Sequence, residues 1–409
     1  MRSWESPVVP TLTAVGIDAS DLPVSVRDTA SGALQRVGEG RNQISLYVCG
    51  ITPYDATHLG HAATYLLFDE LQRVCRDAGI SVRYVQNVTD VDDPLLERAA
   101  ATGEEWTGLA SREIDLFRAD MAALRILAPA EYVGAVEAIP DIAAAVGRLR
   151  DDGAAYDVDG DLYFSVSSSA DFGEVSHLSP AEMVTIFGER GGDPARTGKK
   201  DPLDCLLWQA VRPGEPSWET DLGAGRPGWH IECAAIAMRH LGDTIDIQGG
   251  GEDLVFPHHE MSAAQASVLN GGERFAGVYL HQAMVGYDGE KMSKSKGNLV
   301  LVSTLREAGV DPMAIRLALL DHHHATAWEW NDAEIDGATT RLAAWREAFA
   351  RETAPSAEIL VAELRASLRE GLNTPESLKA VDTWCRSEGE DATAPEKART
   401  AVDALLGIE

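Results

Sequence analysis

The run Ile44-Ser45-Leu46-Tyr47-Val48-Cys49-Gly50 is rich in strand-forming residues and stops at a glycine. Shortly after it, His58-Leu59-Gly60-His61 leads into apolar residues at helical spacing, Leu66, Leu67, Leu71 and Val74. A strand that feeds a helix through such a turn lets the backbone approach an anion closely, with the first N–H groups of the helix aimed at it. A second strand, Val82-Arg83-Tyr84-Val85, runs into Asn87-Val88-Thr89-Asp90, and later strands are expected at 244–248 and 278–285. Strands alternating with helices predict an α/β fold with a parallel sheet and a ligand site at the carboxyl ends of its strands. Cys49, Thr89, Gly251 and Val285 would share that edge.

Between 106 and 200 the pattern changes to two long helical stretches and a hairpin-like segment at 156–164, which reads as an insertion between two halves of a nucleotide fold at 1–105 and 201–302. The insertion ends in Glu189-Arg190-Gly191-Gly192-Asp193-Pro194. Helices at 303–320 and through 333–406, with breaks at Pro355 and Pro375, predict a C-terminal helical bundle over 303–409. The 409 residues suffice for two or three domains with ample buried core.

Cysteines at 49, 75, 205, 233 and 385 form an odd, widely spaced set, which argues for a reducing compartment and for thiols used singly or as metal ligands. The start, Met1-Arg2-Ser3-Trp4-Glu5, lacks the build of a secretion signal, and no apolar run approaches a membrane span, so a soluble cytoplasmic protein is expected. The 35 basic and 65 acidic residues give a formal charge of −30, which disfavours a polyanionic partner unless a basic stripe is set aside for it. Only the loop carrying Lys291, Lys294 and Lys296 comes close to one.

That loop, Lys291-Met292-Ser293-Lys294-Ser295, is the second chemical signal. Two lysines three residues apart, with Gly297 just beyond, can swing onto a departing pyrophosphate. A lone Lys-x-x-Lys is usually a solvated loop, and the signal comes from its position a domain's length downstream of the histidine pair. Together the two segments resemble the signatures of class I aminoacyl-tRNA synthetases. The resemblance implies a class I synthetase-type Rossmann-like fold, ATP as substrate with Mg2+, and formation of an aminoacyl-adenylate.

Cys49, Cys233 and His258 are candidate zinc ligands, each placed at the end of an expected strand or in a turn after one. No C-x-x-C spacing supports them, and any one of them alone is more often a packing residue. The segments around them, Cys49-Gly50-Ile51-Thr52, Gly225-Arg226-Pro227-Gly228-Trp229-His230-Ile231-Glu232-Cys233 and Gly249-Gly250-Gly251, resemble cysteinyl-tRNA synthetase, in which zinc binds the thiol of substrate cysteine. Zinc takes a thiolate far better than a hydroxyl, so such a metal separates cysteine from serine by softness.

Two departures favour a related family. The synthetases carry a glutamate four residues after the ligand histidine, where this chain has Ser262, and only 114 residues follow Ser295 (409 minus 295), too few for a bundle and a further anticodon-reading module. With Pro257-His258-His259-Glu260, Ser262-Ala263-Ala264 and the segment at 189–194, the chain resembles end to end the cysteine ligases of mycothiol biosynthesis.

The resemblance implies joining of L-cysteine to the amino group of glucosaminyl-inositol through cysteinyl-adenylate, by a zinc-bearing monomer that takes no nucleic acid. Cysteinyl-tRNA synthetase is the alternative enzyme, and a degenerate synthetase-like binding protein the alternative class. In the implied roles, His58 and His61 meet the α-phosphate, and Lys291 and Lys294 meet pyrophosphate. Cys49, Gly50, Ile51, Thr52, Thr64, Asn87, Val88, Thr89, Gly251 and Glu252 line the adenylate, and Val285 packs near adenine. Trp229 and Asp253 stand beside the aminoacyl group, with His61 and Asp253 as candidate acceptors of the amine's proton. His322, His323 and His324 read as a surface feature, and Cys75, Cys205 and Cys385 as packing residues.

Overall fold

In the computed structural model the described residues are 1–55, 57–287, 289–291 and 299–409, with Glu290 and Lys291 described by backbone alone. The central sheet has five parallel strands in the order Ala276–Gln282, Ile245–Gly251, Gln43–Val48, Ser81–Val88, Glu131–Gly134. Alternation along the middle strand sorts its side chains. Leu46 and Val48 enter a core shared with the helix Leu59–Asp77 and the C-terminal helices, whereas Tyr47 and Cys49 enter a second core with the helices Ala135–Asp151, Trp229–Leu241 and Glu260–Leu269. A parallel sheet covered on both faces explains why Ile44, Leu46, Tyr47 and Val48 are all buried.

The outer strand Glu131–Gly134 comes from within the stretch read as an insertion. The expected hairpin forms from Ala155–Val158 and Asp161–Phe164, and Cys205–Ala210 and Gly225–Pro227 extend it to a four-stranded antiparallel sheet. Val285 does not lie on the edge of the main sheet. It belongs to a small separate sheet, where Val285–Tyr287 runs parallel to Trp328–Trp330, because the chain leaves the central sheet after Gln282.

The C-terminal region is mainly helical, interrupted by the strand Trp328–Trp330. The stretch 303–320 is divided into Val302–Glu307 and Pro312–Leu320, with Gly309 in the left-handed region at φ 85° and Pro312 opening the second helix. The helices Ala333–Phe349, Ala357–Arg369, Thr374–Arg386 and Ala394–Leu406 follow. Pro375 stands in the first turn of its helix, so the break falls just before it. Of the three adjacent histidines, His324 is buried and its carbonyl accepts the Ala283 N–H at 2.7 Å, while His322 stacks on Trp328 at 3.5 Å. The surface expectation therefore fails for His324, because the turn after Leu320 folds back under the small sheet. Cys75, Cys205 and Cys385 are buried thiols, each pushed up to about 12 by burial, as packing residues should be. No helix among the described residues is long and apolar enough to cross a membrane.

The helix Leu59–Asp77 is buried at Leu59 and continuously from Ala62 to Cys75, although it carries Asp69, Glu70 and Arg73. These charges are compensated inside the protein. Arg73 Nε meets Asp69 at 2.8 Å, and Arg316, from the helix Pro312–Leu320, meets Glu70 at 2.6 Å and also Asp69. Backbone carbonyls use the remaining donors: those of Asp403 and Arg125 for Arg73, and those of Leu406 and Leu124 for Arg316, all at 2.7–2.9 Å. Burial opposes ionisation of Asp69, but the two guanidiniums outweigh it and hold this carboxyl below its ordinary value, while burial pushes Glu70 up to about 7. Removing one partner of such a cluster strands buried charge. Arg316→Ala should lower unfolding stability by about 3–5 kcal/mol in urea titrations; a loss below about 1 kcal/mol would show that the cluster is not what joins this helix to the C-terminal bundle.

Candidate active site

The carboxyl edge of the sheet is built by close backbone approach. A Cβ on Gly50 would stand 1.6 Å from the Asn87 carbonyl oxygen, so only glycine lets this strand end pass its neighbour. The Asn87 side chain accepts the Gly50 N–H at 2.8 Å and donates to Thr89 Oγ1 at 3.2 Å, and Thr89 N–H reaches the Ile51 carbonyl at 3.0 Å. On the other side, Cys49 N–H meets the Gly249 carbonyl at 3.0 Å. A Cβ on Gly249 would strike the Phe68 ring at 2.2 Å, and one on Gly251 would lie 2.6 Å from Asp253 Oδ1. Cys49, Gly50, Ile51, Asn87, Val88, Thr89 and Gly251 thus occupy one edge, with Thr52 half-buried just beyond it.

The histidine pair stands at the N-terminus of the buried helix. His58 is its N-cap, with Nδ1 accepting the Gly60 N–H at 3.0 Å, and the His58 and His61 rings stack at 3.8 Å. Thr64 donates to the Gly60 carbonyl at 3.0 Å, one turn along. The positive end of the helix and two imidazoles therefore face the same space, an arrangement suited to an anion. The chain beyond the lysine segment returns to this point, with Leu59 N–H on the Val300 carbonyl at 2.9 Å and Val302 N–H on the Thr57 carbonyl at 3.1 Å. Lys294 and Lys296 lie outside the described residues, and of Lys291 only the backbone is described.

Cys49, Cys233 and His258 come together as expected, with their donor atoms within 4.8 Å of one another and all three residues buried. The two sulfurs are 3.7 Å apart, and His258 Nε2 is 3.2 Å from Cys233 Sγ. Cys233 does not end a strand. It lies in the second turn of the helix Trp229–Leu241, because Gly228 ends the short strand early and caps that helix. Burial opposes ionisation of both thiols and, with Cys233 beside it, raises Cys49; the hydrogen bond from Cys49 and the His258 imidazole outweigh burial at Cys233 and hold it well below its ordinary value. A buried thiolate, a second thiol and an imidazole within one ion's reach form a soft N/S donor set that fits zinc.

Trp229 is half-buried, and its ring stacks on His258 at 4.2 Å, so it is a wall of this site rather than an interior residue. Asp253 is half-buried and Glu252 exposed at the mouth. Ser262 is fully buried, receives Gln248 Nε2 at 3.1 Å and donates to the His259 carbonyl at 3.3 Å, so it serves the surrounding hydrogen-bond network.

Sequence reading passed over four residues that the fold brings in. His259 Nε2 lies 3.2 Å from Cys49 Sγ, its Nδ1 lies 2.7 Å from His281 Nε2, and His281 Nδ1 lies 2.7 Å from Thr29 Oγ1. His230 Nδ1 meets His258 Nδ1 at 3.0 Å. Burial holds His230, His259 and His281 below the ordinary imidazole range, neutral and able to accept or donate by tautomer. The adjacent pair His258-His259 was the available signal for His259; nothing local marks Thr29 or His281.

The chain is similar over most of its length to known proteins. Residues 36–340 match the family described as tRNA synthetases class I (C) catalytic domain. The chain is 57% identical over its whole length to the L-cysteine:1D-myo-inositol 2-amino-2-deoxy-alpha-D-glucopyranoside ligase of Kribbella flavida, all of which is covered. It is also 57% identical to the ligase of that name from Thermobifida fusca, with 100% of this chain and 98% of that protein covered. Among solved structures, Mycobacterium tuberculosis methionyl-tRNA synthetase with methionyl-adenylate aligns at TM-score 0.59 and 16% identity, covering 90% of this chain and 92% of that one. The ternary LeuRS–tRNA complex of Agrobacterium radiobacter aligns at 0.65 and 11%, covering 90% and 84%. At these identities the structural likeness concerns the fold.

The donor set predicts about one equivalent of tightly bound Zn2+ or Co2+ per chain, with thiolate-to-metal absorption in the cobalt form, and loss of both in Cys233→Ala. A Cys233→Ala protein that keeps full metal content would remove the cluster as the metal site.

Proposed function

This chain belongs to the class I (C) tRNA synthetase catalytic-domain family, and on that premise we propose that it is an ATP-dependent ligase joining L-cysteine to the amino group of glucosaminyl-inositol. The observation that carries the reading is the buried Cys49, Cys233 and His258 set, walled by Trp229, at the sheet edge that also receives the histidine-bearing helix. A carboxylate oxygen of cysteine attacks the α-phosphorus of ATP, and the bond to pyrophosphate breaks. The acceptor amine then attacks the carbonyl carbon of the adenylate, an amide bond forms, and AMP leaves.

His58 and His61, with the helix N-terminus behind them, offset charge at the α-phosphate, and Lys291 and Lys294 meet the departing pyrophosphate. Thr52, Thr64, Asn87, Thr89 and the glycine run hold the adenylate, Val285 packs by adenine, and Asp253 or His61 takes the proton the amine releases. Cys49, Cys233 and His258 would hold a zinc ion, which would supply preference for a thiolate over a hydroxyl. The reading further comprises one zinc per chain, magnesium with ATP, a monomer in the cytoplasm and no nucleic-acid partner, in keeping with the formal charge of −30.

Two measurements test this. In single turnover, preformed enzyme-bound cysteinyl-adenylate should pass cysteine to glucosaminyl-inositol and not to tRNA; the opposite result would make the protein a cysteinyl-tRNA synthetase. In cysteine-dependent ATP–pyrophosphate exchange, Lys291→Ala or Lys294→Ala should lower kcat by about 10²–10³ with cysteine KM nearly unchanged, and Lys296→Ala should do much less. Equal losses at the three lysines would indicate a diffuse charge patch instead.

A further inference from the structure

The segment Glu189-Arg190-Gly191-Gly192-Asp193-Pro194 has no part in the chemistry described so far, yet its construction is specific. It closes the helix Pro180–Glu189: Arg190 N–H reaches the Ile186 carbonyl at 3.0 Å, and Gly192 N–H reaches the Phe187 carbonyl at 2.8 Å. Gly191 sits in the left-handed region at φ 87°, and a Cβ on Gly192 would lie 2.5 Å from the Phe187 ring, so both glycines are required for this turn. Behind it, the Asp193 carboxylate accepts Tyr163 Oη at 2.5 Å and Lys199 Nζ at 2.9 Å, with the Lys199 side chain only 2% exposed. Arg196 adds a 2.8 Å ion pair to the buried Asp161. Helix closure alone needs none of this bracing and no arginine at position 190.

The bracing aims one side chain. Arg190 Nη1 donates to the backbone carbonyls of both Asp253 and Phe256. These belong to the irregular stretch between the strand Ile245–Gly251 and the helix Glu260–Leu269, where Phe256 is extended at φ −137° and ψ 134° between helical neighbours. Asp253 and His258 lie on that stretch, one at the mouth of the site and the other in the donor set. A planar cation shared by two carbonyls three residues apart fixes their spacing in a turn that departs from regular helix geometry, and a flexible point charge does so less well.

We propose that Arg190 is a positioning residue for amino-acid recognition: by holding the Asp253 and Phe256 carbonyls it sets Asp253 and His258, so that the inserted region controls how cysteine is seated. The inference rests on the ligase reading above, and wild-type protein measured in parallel tests that reading separately. In full-length protein, Arg190→Ala should raise the cysteine KM in pyrophosphate exchange about ten-fold or more while leaving the ATP KM within about twofold. Arg190→Lys should recover only part of the loss, and added guanidinium ion should partly rescue Arg190→Ala and not wild type.

Hydrogen exchange at the amides of residues 250–259 reads the same contact without any substrate and should be faster in Arg190→Ala. Wild type inactive with cysteine would count against the ligase reading, and exchange at 250–259 would still decide the role of Arg190. An unchanged cysteine KM, an equal rise for ATP and cysteine, or unchanged amide exchange would overturn the proposal. Variants that lose global folding together, without guanidinium rescue, would overturn it too by making Arg190 a general structural residue.

Discussion

The position of the helix Leu59–Asp77 governs the rest of the molecule. Its N-terminus presents His58 and His61, while most of its length is enclosed between the central sheet and the C-terminal helices. A helix that buries Asp69, Glu70 and Arg73 is tolerated only if each charge finds a partner and the remaining donors find carbonyls. Arg316 supplies the counter-charge, and Leu124, Arg125, Asp403 and Leu406 supply the carbonyls. The C-terminal bundle is thereby joined to the helix that carries the histidine pair: the chain's last helix and the helix bearing Arg316 hold that helix in place.

At the sheet edge the buried groups are of another kind. A chain with a formal charge of −30 gathers there a buried group of imidazoles and sulfurs, in which burial keeps His230 and His259 neutral. The hydrogen-bonded line from Cys49 through His259 and His281 to Thr29 orients the sulfur from behind, and His230 does the same for His258. Such outer partners fix the direction of a ligand's lone pair and the tautomer of its ring, which matters as much as the ligand's identity. Thr29 follows the strand Val24–Arg27, so a segment ahead of the central sheet contributes to the alignment of the site.

The sheet edge is closed by glycines. Gly50 and Gly249 are packed so tightly against Asn87 and Phe68 that no side chain fits. The chain at 299–302 returns onto 57–59 by backbone hydrogen bonds, Leu59 N–H to the Val300 carbonyl and Val302 N–H to the Thr57 carbonyl. Residues 299–302 therefore lie beside the histidine pair although more than 200 residues separate them in sequence.

Much of this was legible from residue order. The strand-forming runs at 44–50 and 82–85, with helical spacing after Gly60, pointed to a parallel α/β sheet and its ligand edge, because short runs rich in strand formers that alternate with helices bury both faces of such a sheet. The histidine and lysine segments, and the cysteines beside glycine and in the Trp229 segment, carried the family resemblance, because such short segments keep their residue order whatever surrounds them. The tertiary structure alone decided how they meet. It put Cys233 on a helix, moved Val285 to a separate small sheet, buried His324, and brought Thr29, His281 and Arg190 to the site from distant segments. Each of these depends on contacts between residues far apart in the chain, set by close packing of whole elements, and no local pattern encodes them.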